Sequence, residues 1–513
     1  MGYDAGMGVE LLTERHGSQI AGVLGCYDRI LIFGTLPGIC YAGGMTSFLY
    51  ARQIRIFDYP IFAEPFRERI RENAERMAAA AGIEIEFIRT RSIRKEDRAQ
   101  ELLAKRGNHP GLVCILSAME PCSTYKPWHN KQSGKTHLVP NDGKCLHYYF
   151  YFVGEELGFC HVRVPTWLPC RLPICLNGHN WLAGRLRQAG IEYRMADNAF
   201  TQIGDWQKAQ TISDGWEAKR IHERLDELAR LCCPIYRDFA TGYHWSVNQC
   251  EYATDVVFRK QTDLQAVYGN LTRTAIHTVK PDNIATFLGK KLSPQFEGEM
   301  GNRFNIRIEG TRIKHTMGPV SLKLYDKFGL ILRIETTVND PAFFKHYREV
   351  EHRDGSRGVQ WAPMQKSIYS LPALRELLAA SNRRYLEFLS VIEDPRAGRD
   401  KLDKLSQPVE LEGRRYSGFN LFDQDDENLL CAIVRGEFNI SGLQNKTLRR
   451  HLPQLNGGQV SRLLKRLRTH GLIKKIGHTY KYYATSFGKQ VVATALKLRE
   501  LVIIPQLASP AVR

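Results

Sequence analysis

Four polar side chains that could act on a phosphate group lie close together in one predicted β-hairpin. The stretch SLKLYDKFGLILRIETTVND contains Lys323, Tyr325, Arg333 and Glu335. Because alternate residues of a strand share a face, Lys323 and Tyr325 lie on one face of the first strand. Arg333 and Glu335 share a face of the second strand in the same way, and aliphatic residues alternate with them. A tyrosine hydroxyl can attack phosphorus, and a lysine or arginine can stabilise the charge on the phosphate.

A second predicted strand, QCEYATDVVF, adds two carboxylates. Glu251 and Asp255 are four residues apart, so an extended chain places both on one face. Carboxylates that converge on one sheet surface can bind Mg²⁺ or Mn²⁺ for phosphodiester chemistry. The sequence therefore predicts Tyr325, Lys323 and Arg333 as catalytic residues. It predicts Asp255, Glu335 and Glu251 as metal ligands.

The order of these segments also resembles a known family. A strand ending in an acid is followed by IEGTRIKH, then by Y-D-K and then by R-I-E. This order is similar to that of plasmid rolling-circle replication initiators and related mobile-element proteins, and the similarity covers about Tyr243 to Asp340. The resemblance implies that Tyr325 is the nucleophile and that Asp255 and Glu335 bind the metal. The chain has no obvious His-hydrophobe-His pair of the kind that HUH nucleases carry.

Two other interpretations of the acidic residues stay open at this point. In the first, the hairpin is solvated and its charges form structural salt bridges, from Arg333 or Lys323 to Glu335. In the second, Asp28 in the first apolar strand and Asp197 at the end of IEYRMAD hold two metal ions, as in RNase H-like nucleases and transposases.

The last hundred residues predict a DNA-binding module. The sequence predicts three helices, in DDENLLCAIVRGEF, NKTLRRHLP and NGGQVSRLLKRLRTHG. Two predicted strands, in LIKKIG and YKYYATS, follow, and then a final helix. The stretch HGLIKKIGHTYKYYATSFGK resembles the wing region of MarR-like winged-helix proteins. The resemblance implies that the third helix enters the major groove and that the wing contacts the backbone. The candidate DNA-binding residues are Ser461, Arg462, Lys465, Arg466, Arg468, Lys474, Lys475 and Lys481.

The charge of this module supports the prediction. From Ser441 to Glu500 there are 13 Lys and Arg residues against a single acid. From Asn420 to Asn439 there are five acids against a single Arg. The positive charge thus lies on the half that is expected to face DNA, although a winged helix can also serve only as a protein contact.

The fold class predicted for the whole chain is mixed α+β. An N-terminal α/β region is followed by a central, antiparallel, β-rich region and a C-terminal winged helix-turn-helix. The predicted boundaries are 1–119, 120–240, 241–394, a linker at 395–418 and the module at 419–505. A polar segment from Glu120 to Lys144 is expected to be a loop, either in contact with nucleic acid or simply solvated.

The composition of the chain favours some classes of partner and excludes others. The 513 residues carry a formal net charge of +18, which favours a polyanionic partner. No apolar run is long enough to span a membrane, and we expect no membrane partner. Twelve scattered cysteines, several in apolar strands, are typical of a reduced, cytoplasmic protein. The cysteines and histidines that lie closest together match no zinc-site spacing, so no zinc is expected; they are His161, Cys170, Cys175 and His179.

These observations predict a nucleic-acid-binding protein, of the kind that mobile elements encode, that processes DNA as a metal-dependent nuclease or nickase. Double-stranded DNA is the expected partner of the C-terminal module, and RNA stays open for the rest of the chain. The alternative is a DNA- or RNA-binding regulator without catalytic activity.

Overall fold

The computed structural model describes residues 11–507 except 91, 108, 240–241, 291–297, 308–309, 394–401, 436, 439–441, 478, 500–502 and 505–506. The chain forms two compact units, Met1–Glu393 and Asp394–Arg513. His478, in the predicted wing turn, and the first part of the predicted linker lie outside the described residues. The predicted mixed α+β class is confirmed.

The first unit is built on one 11-stranded sheet. Its strands are β1 (Ile20–Thr35), β2 (Ile85–Phe87), β3 (Gly111–Asn130), β4 (Lys135–Gly154), β5 (Gly158–Pro165), β6 (Leu172–Asn177), β9 (His244–Phe258), β10 (Met300–Arg307), β11 (Gly310–Met317), β12 (Val320–Lys327) and β13 (Ile331–Val338). Their order across the sheet is β10-β11-β12-β13-β9-β1-β6-β5-β4-β3-β2. Only the short β2–β3 pair is parallel among these strands. The sheet therefore takes strands from all three regions that the sequence predicts as separate domains before residue 394.

Helices and two further hairpins complete the described part of this unit. The helices are α1 (Leu12–Arg15), α2 (Ala42–Ala51), α3 (Tyr59–Ala81), α4 (Lys95–Arg106), α5 (Gly178–Gln188), α6 (Trp206–Asp214), α7 (Ala218–Cys232), α8 (Gln261–Thr278), α9 (Pro281–Phe287) and α10 (Leu371–Glu393). The hairpins are β7 (Tyr193–Ala196) with β8 (Ala199–Ile203), and β14 (Lys345–Glu351) with β15 (Arg357–Pro363). No helix in the described ranges is long and apolar enough to cross a membrane.

The segment from Glu120 to Lys144 is not a loop, and that prediction is wrong. It forms the outer half of the long β3–β4 hairpin, which stays in register from Glu120 opposite Cys145 to Asn130 opposite Lys135. Tyr125 and Leu138 are buried there, while most of their neighbours are solvated. These two strands have few apolar positions, so their composition resembles that of a loop. For this reason the sequence pattern did not indicate strands here.

Helix α10 explains why the hairpin of β12 and β13 has two very different faces. The Asn382 side chain of α10 donates to the Tyr252 and Ile334 carbonyls and accepts from the Thr336 hydroxyl at 2.6 Å. The helix thus covers the face of β13 that carries Ile334 and Thr336. Since side chains alternate along a strand, Arg333 and Glu335 project from the opposite face.

The second unit contains the helices α11 (Gln424–Ile433), α12 (Asn445–Arg449), α13 (Gly457–Thr469) and α14 (Ser486–Leu498), and the hairpins β16 (Val409–Leu411) with β17 (Arg414–Tyr416) and β18 (Ile473–Lys475) with β19 (Tyr482–Ala484). Three residues of the predicted apolar stripe on α13, Val460, Leu464 and Leu467, are buried in the core of this unit. Asn456 caps α13 by accepting from the Gln459 backbone N–H.

Candidate functional site

Strand register places the predicted catalytic residues beside the predicted ligands. Arg333 in β13 lies opposite Tyr325 in β12 and opposite Asp255 in β9. Two residues further along, Glu335 lies opposite Lys323. Directly opposite residues on one face are about 5 Å apart at Cβ, so these side chains can meet.

The side chains separate into two groups, and the first is centred on Arg333. The Arg333 guanidinium donates to both Asp255 oxygens, at 2.6 and 2.7 Å, and to the Asn198 carbonyl at 2.9 Å. A second carboxylate, Asp28, lies 3.7 Å from Arg333 Nη1. His179 Nδ1 is 3.0 Å from Asp28 Oδ1. We call Arg333, Asp255, Asp28, His179 and Asn198 the arginine cluster.

The centre of the arginine cluster is enclosed, whereas Asp28 and Asn198 border a cleft. Arg333 has no exposed surface, and Asp255 and His179 are each 1% exposed. Burial by itself would raise the pKa of Asp255, but the Arg333 charge and the His179 hydrogen bond outweigh it and lower the pKa from 3.8 to about 2. For His179, burial lowers the pKa, but the hydrogen bonds to Asp255 and Asp28 prevail and raise it. The Arg333–Asp255 pair therefore links β13 to β9 and has almost no surface that a substrate could contact.

Stability should fall in acid as this pair is lost. The folded-state pKa of Asp255 is below its unfolded value, so the ionised pair contributes fully above pH about 4 and is lost as the pH falls towards 2. We expect the loss to reach about 2 kcal/mol of unfolding free energy. Urea unfolding at pH 7, 5, 3 and 2 measures it, and about half of the loss should have occurred at pH 3. The matched control is Asp255→Leu with Arg333→Met, which lacks the pair and should have a flatter pH dependence; parallel profiles would contradict the prediction.

The second group surrounds Tyr325 and reaches solvent. The Tyr325 hydroxyl donates to Glu335 Oε2 at 2.6 Å, and Lys323 Nζ binds the other oxygen, Oε1. The same ammonium lies 3.5 Å from Glu251 Oε1. The Thr337 hydroxyl oxygen lies 3.3 Å from one oxygen of each carboxylate and can donate its proton to either. We call Tyr325, Glu335, Lys323, Glu251 and Thr337 the tyrosine cluster.

Partial burial controls the ionisation of the tyrosine cluster. Burial and the nearby Glu335 charge raise the pKa of Tyr325 well above 10. Burial and Glu335 also raise the pKa of Glu251. Burial would lower the pKa of Lys323, but the two glutamates raise it, so the ammonium is charged at neutral pH. Tyr325 therefore needs a base to become a nucleophile, and Glu335 is already hydrogen-bonded to its proton.

The predicted metal ligands are not arranged as one open set. Both oxygens of Asp255 are bound by Arg333. Glu251 and Glu335 do converge, but Lys323 Nζ lies between them, where a divalent cation would have to bind. A cation and an ammonium ion repel each other, so a metal ion at Glu251 and Glu335 requires Lys323 to move away.

Three residues of the arginine cluster, Asp28, His179 and Asn198, were not identified as parts of this site from the sequence. The signal that could have indicated His179 is the glycine before it. A Cβ on Gly178 would lie 1.9 Å from the Tyr27 carbonyl oxygen, so only glycine lets α5 begin against β1. That close approach places His179 beside Asp28.

The alternative assignments from the sequence can now be located. Asp197 does not join Asp28; it is in the β7–β8 turn and lies 3.1 Å from Lys327 Nζ. Lys323 does bind Glu335, as the salt-bridge interpretation expects, but Glu335 is only 2% exposed, so the pair is not on a solvated face. Arg333 pairs with Asp255 rather than with Glu335.

The candidate DNA-binding residues differ in their surroundings. Arg466 is bound by both Asp426 oxygens, at 2.6 and 2.9 Å, and stacks 3.9 Å from the centre of the Phe419 ring. Lys465 lies 3.1 Å from Glu412, and Ser461 accepts from Asn445. The remaining cations are exposed and have no carboxylate partner within the described part of the chain; they are Arg462, Arg468, Lys474, Lys475 and Lys481.

Comparisons of the chain with protein-family models, with curated proteins and with solved structures each found no match.

Proposed function

We propose that the protein binds DNA through its second unit and cuts one strand through the tyrosine cluster of its first unit, forming a covalent tyrosyl–DNA intermediate. The proposal depends above all on one observation, the 2.6 Å hydrogen bond from the Tyr325 hydroxyl to a carboxylate whose other oxygen is held by Lys323. A nucleophile, a base and a cation for the phosphate are thereby in contact.

In the proposed step, the Tyr325 oxygen attacks the phosphorus of a backbone phosphodiester. Its proton passes to Glu335 Oε2, because the raised pKa makes a free phenolate unfavourable at neutral pH. The P–O bond to the departing strand breaks, and that oxygen takes a proton from water. Lys323, which is protonated, stabilises the negative charge that accumulates on the phosphate oxygens.

The order of elements in the second unit supports the DNA-binding half of the proposal. Three helices, a two-stranded hairpin and a last helix follow one another in the order that a winged helix-turn-helix requires. Arg462 and Arg468 are exposed on α13, and Lys474 and Lys475 are exposed on β18. We propose that these four residues contact DNA phosphates, whereas Arg466 holds α13 against α11.

Incubation with supercoiled DNA and Mn²⁺ or Mg²⁺ tests the catalytic half. We expect nicked circles and a protein–DNA adduct that survives denaturing electrophoresis, and we expect both to disappear in Tyr325→Phe. The matched control is Tyr347→Phe, because Tyr347 is 63% exposed on the separate β14–β15 hairpin and should not affect nicking.

Other outcomes of this assay separate the alternatives. Nicking that survives Tyr325→Phe but is lost in Glu335→Ala would indicate water activated by a metal ion instead of a tyrosine nucleophile. An absence of nicks under every condition would contradict catalysis and favour the non-catalytic DNA- or RNA-binding regulator.

A further inference from the structure

A third group of reactive side chains lies on the same sheet and on the neighbouring helix α4, outside both clusters. His161 in β5 and Cys175 in β6 are directly opposite each other in the strand register. Glu96, in the first turn of α4, lies over them. One ligand atom from each residue, an imidazole nitrogen, the thiol sulfur and a carboxylate oxygen, lies within 4.8 Å of the other two.

The ligand atoms of this group are not used by the rest of the described protein. Neither the imidazole of His161, the sulfur of Cys175 nor the carboxylate of Glu96 has a hydrogen bond or an ion pair with any described residue. His161 and Cys175 are nevertheless half-buried, and the centres of the Tyr151 and His161 rings are 4.9 Å apart. The imidazole and the thiol are thus partly enclosed without a described protein partner, and the solvent-exposed Glu96 carboxylate lies beside them.

The three side chains line a cleft that offers room for a bound ion and its water. The cleft has a volume of about 300 Å³ and is also bordered by Asp28, Arg29 and Glu251. A neutral imidazole is the form of histidine that binds metals.

We propose that Glu96, His161 and Cys175 bind one divalent transition-metal ion of the Zn²⁺ class, with water in a fourth position that opens into the cleft. A thiolate and an imidazole select a borderline-soft ion over Mg²⁺. Ligand atoms around tetrahedral zinc are about 3.5 Å apart, so a small movement of the exposed Glu96 side chain closes the site. On binding, the Cys175 thiol releases its proton to solvent.

In the sequence analysis no zinc is expected, because spacing along the chain can only bring together ligands that are close in sequence. Of the four residues considered there, only His161 and Cys175 come together. Cys170 lies elsewhere, near Tyr243 and Cys233, and His179 belongs to the arginine cluster. The third ligand, Glu96, comes from a helix far away in the sequence, and only the tertiary fold brings it to this place.

Metal analysis of the full-length protein tests the proposal without DNA, so its result is independent of the proposed nicking activity. The protein is stripped with a chelator, dialysed against Zn²⁺ in the presence of a competing chelator, and analysed for bound metal. We expect one Zn²⁺ per chain, and we expect Cys175→Ser to weaken binding by at least about 100-fold. With Co²⁺ as the probe, the wild type should show a thiolate-to-cobalt absorption band that Cys175→Ser lacks.

Two further variants make the result decisive. Cys431→Ser, which changes an exposed cysteine of the second unit, is the matched control and should bind like the wild type. Glu96→Gln removes an exposed ligand at little cost to folding, so it decides the matter if Cys175→Ser does not fold. Wild-type binding no tighter than that of Mg²⁺, or equal Zn²⁺ affinity in the wild type and in Glu96→Gln, would overturn the proposal.

Discussion

Replacing Asp255 by Ala should lower the unfolding free energy of the first unit by about 3–5 kcal/mol, which is the usual cost of removing one partner of a buried ion pair. Arg333 has no exposed surface, and Asp255 accepts two of its hydrogen bonds. Without that carboxylate the guanidinium would be left with the more distant Asp28, the His179 imidazole and one backbone carbonyl. A guanidinium ion in that position can neither contact water nor lose its proton.

Tryptophan fluorescence during urea unfolding can isolate this effect. All seven tryptophans, Trp128, Trp167, Trp181, Trp206, Trp216, Trp245 and Trp361, lie in the first unit, so the signal does not report on the second. The matched control is Glu351→Ala. It breaks the Arg357–Glu351 pair, in which the two side chains are 64% and 61% exposed, and it should have little effect. A loss below about 1 kcal/mol in Asp255→Ala would contradict the buried-pair argument.

Neutralising Arg462, Lys474 and Lys475 together by Gln should weaken binding to duplex DNA by about 100-fold or more at low salt. It should also reduce the slope of log K against log salt by about 3, since each phosphate contact contributes about 0.9 to that slope. All three side chains are exposed and have no carboxylate partner in the described part of the second unit, so they are available to release counterions. Fluorescence anisotropy of a labelled duplex between 50 and 200 mM salt measures both quantities.

A charge-matched variant controls for the loss of net charge. Lys105, Lys208 and Lys219 are exposed residues of the first unit, and their joint replacement by Gln removes the same charge. We expect a much smaller change in the salt slope, and equal changes in the two triple variants would contradict a specific interface. Arg466→Ala should behave differently again. Because it removes the partner of the buried Asp426, it should lower the melting temperature of the second unit before it affects the salt slope.

The sequence by itself determined the local features of the protein. Alternation along SLKLYDKFGLILRIETTVND correctly predicted the hairpin, its aliphatic face with Leu322 and Leu324 in the core, and the opposite polar face. The 3.6-residue pattern likewise predicted the buried side of α13. Both predictions succeed because the period of side-chain direction depends only on backbone geometry, which is the same wherever the element lies.

The sequence could not determine which charges meet or how deeply they are buried. Asp255 and Arg333 are 78 positions apart in the chain, and their pairing depends on β9 lying next to β13 in the sheet. The tertiary structure decided that Arg333 binds Asp255 instead of Glu335, that Arg466 turns inward to Asp426, and that Glu96 reaches His161 and Cys175. Strand order and register are set by packing across the whole domain, so a sequence pattern that gives the face of a residue does not give its partner on that face.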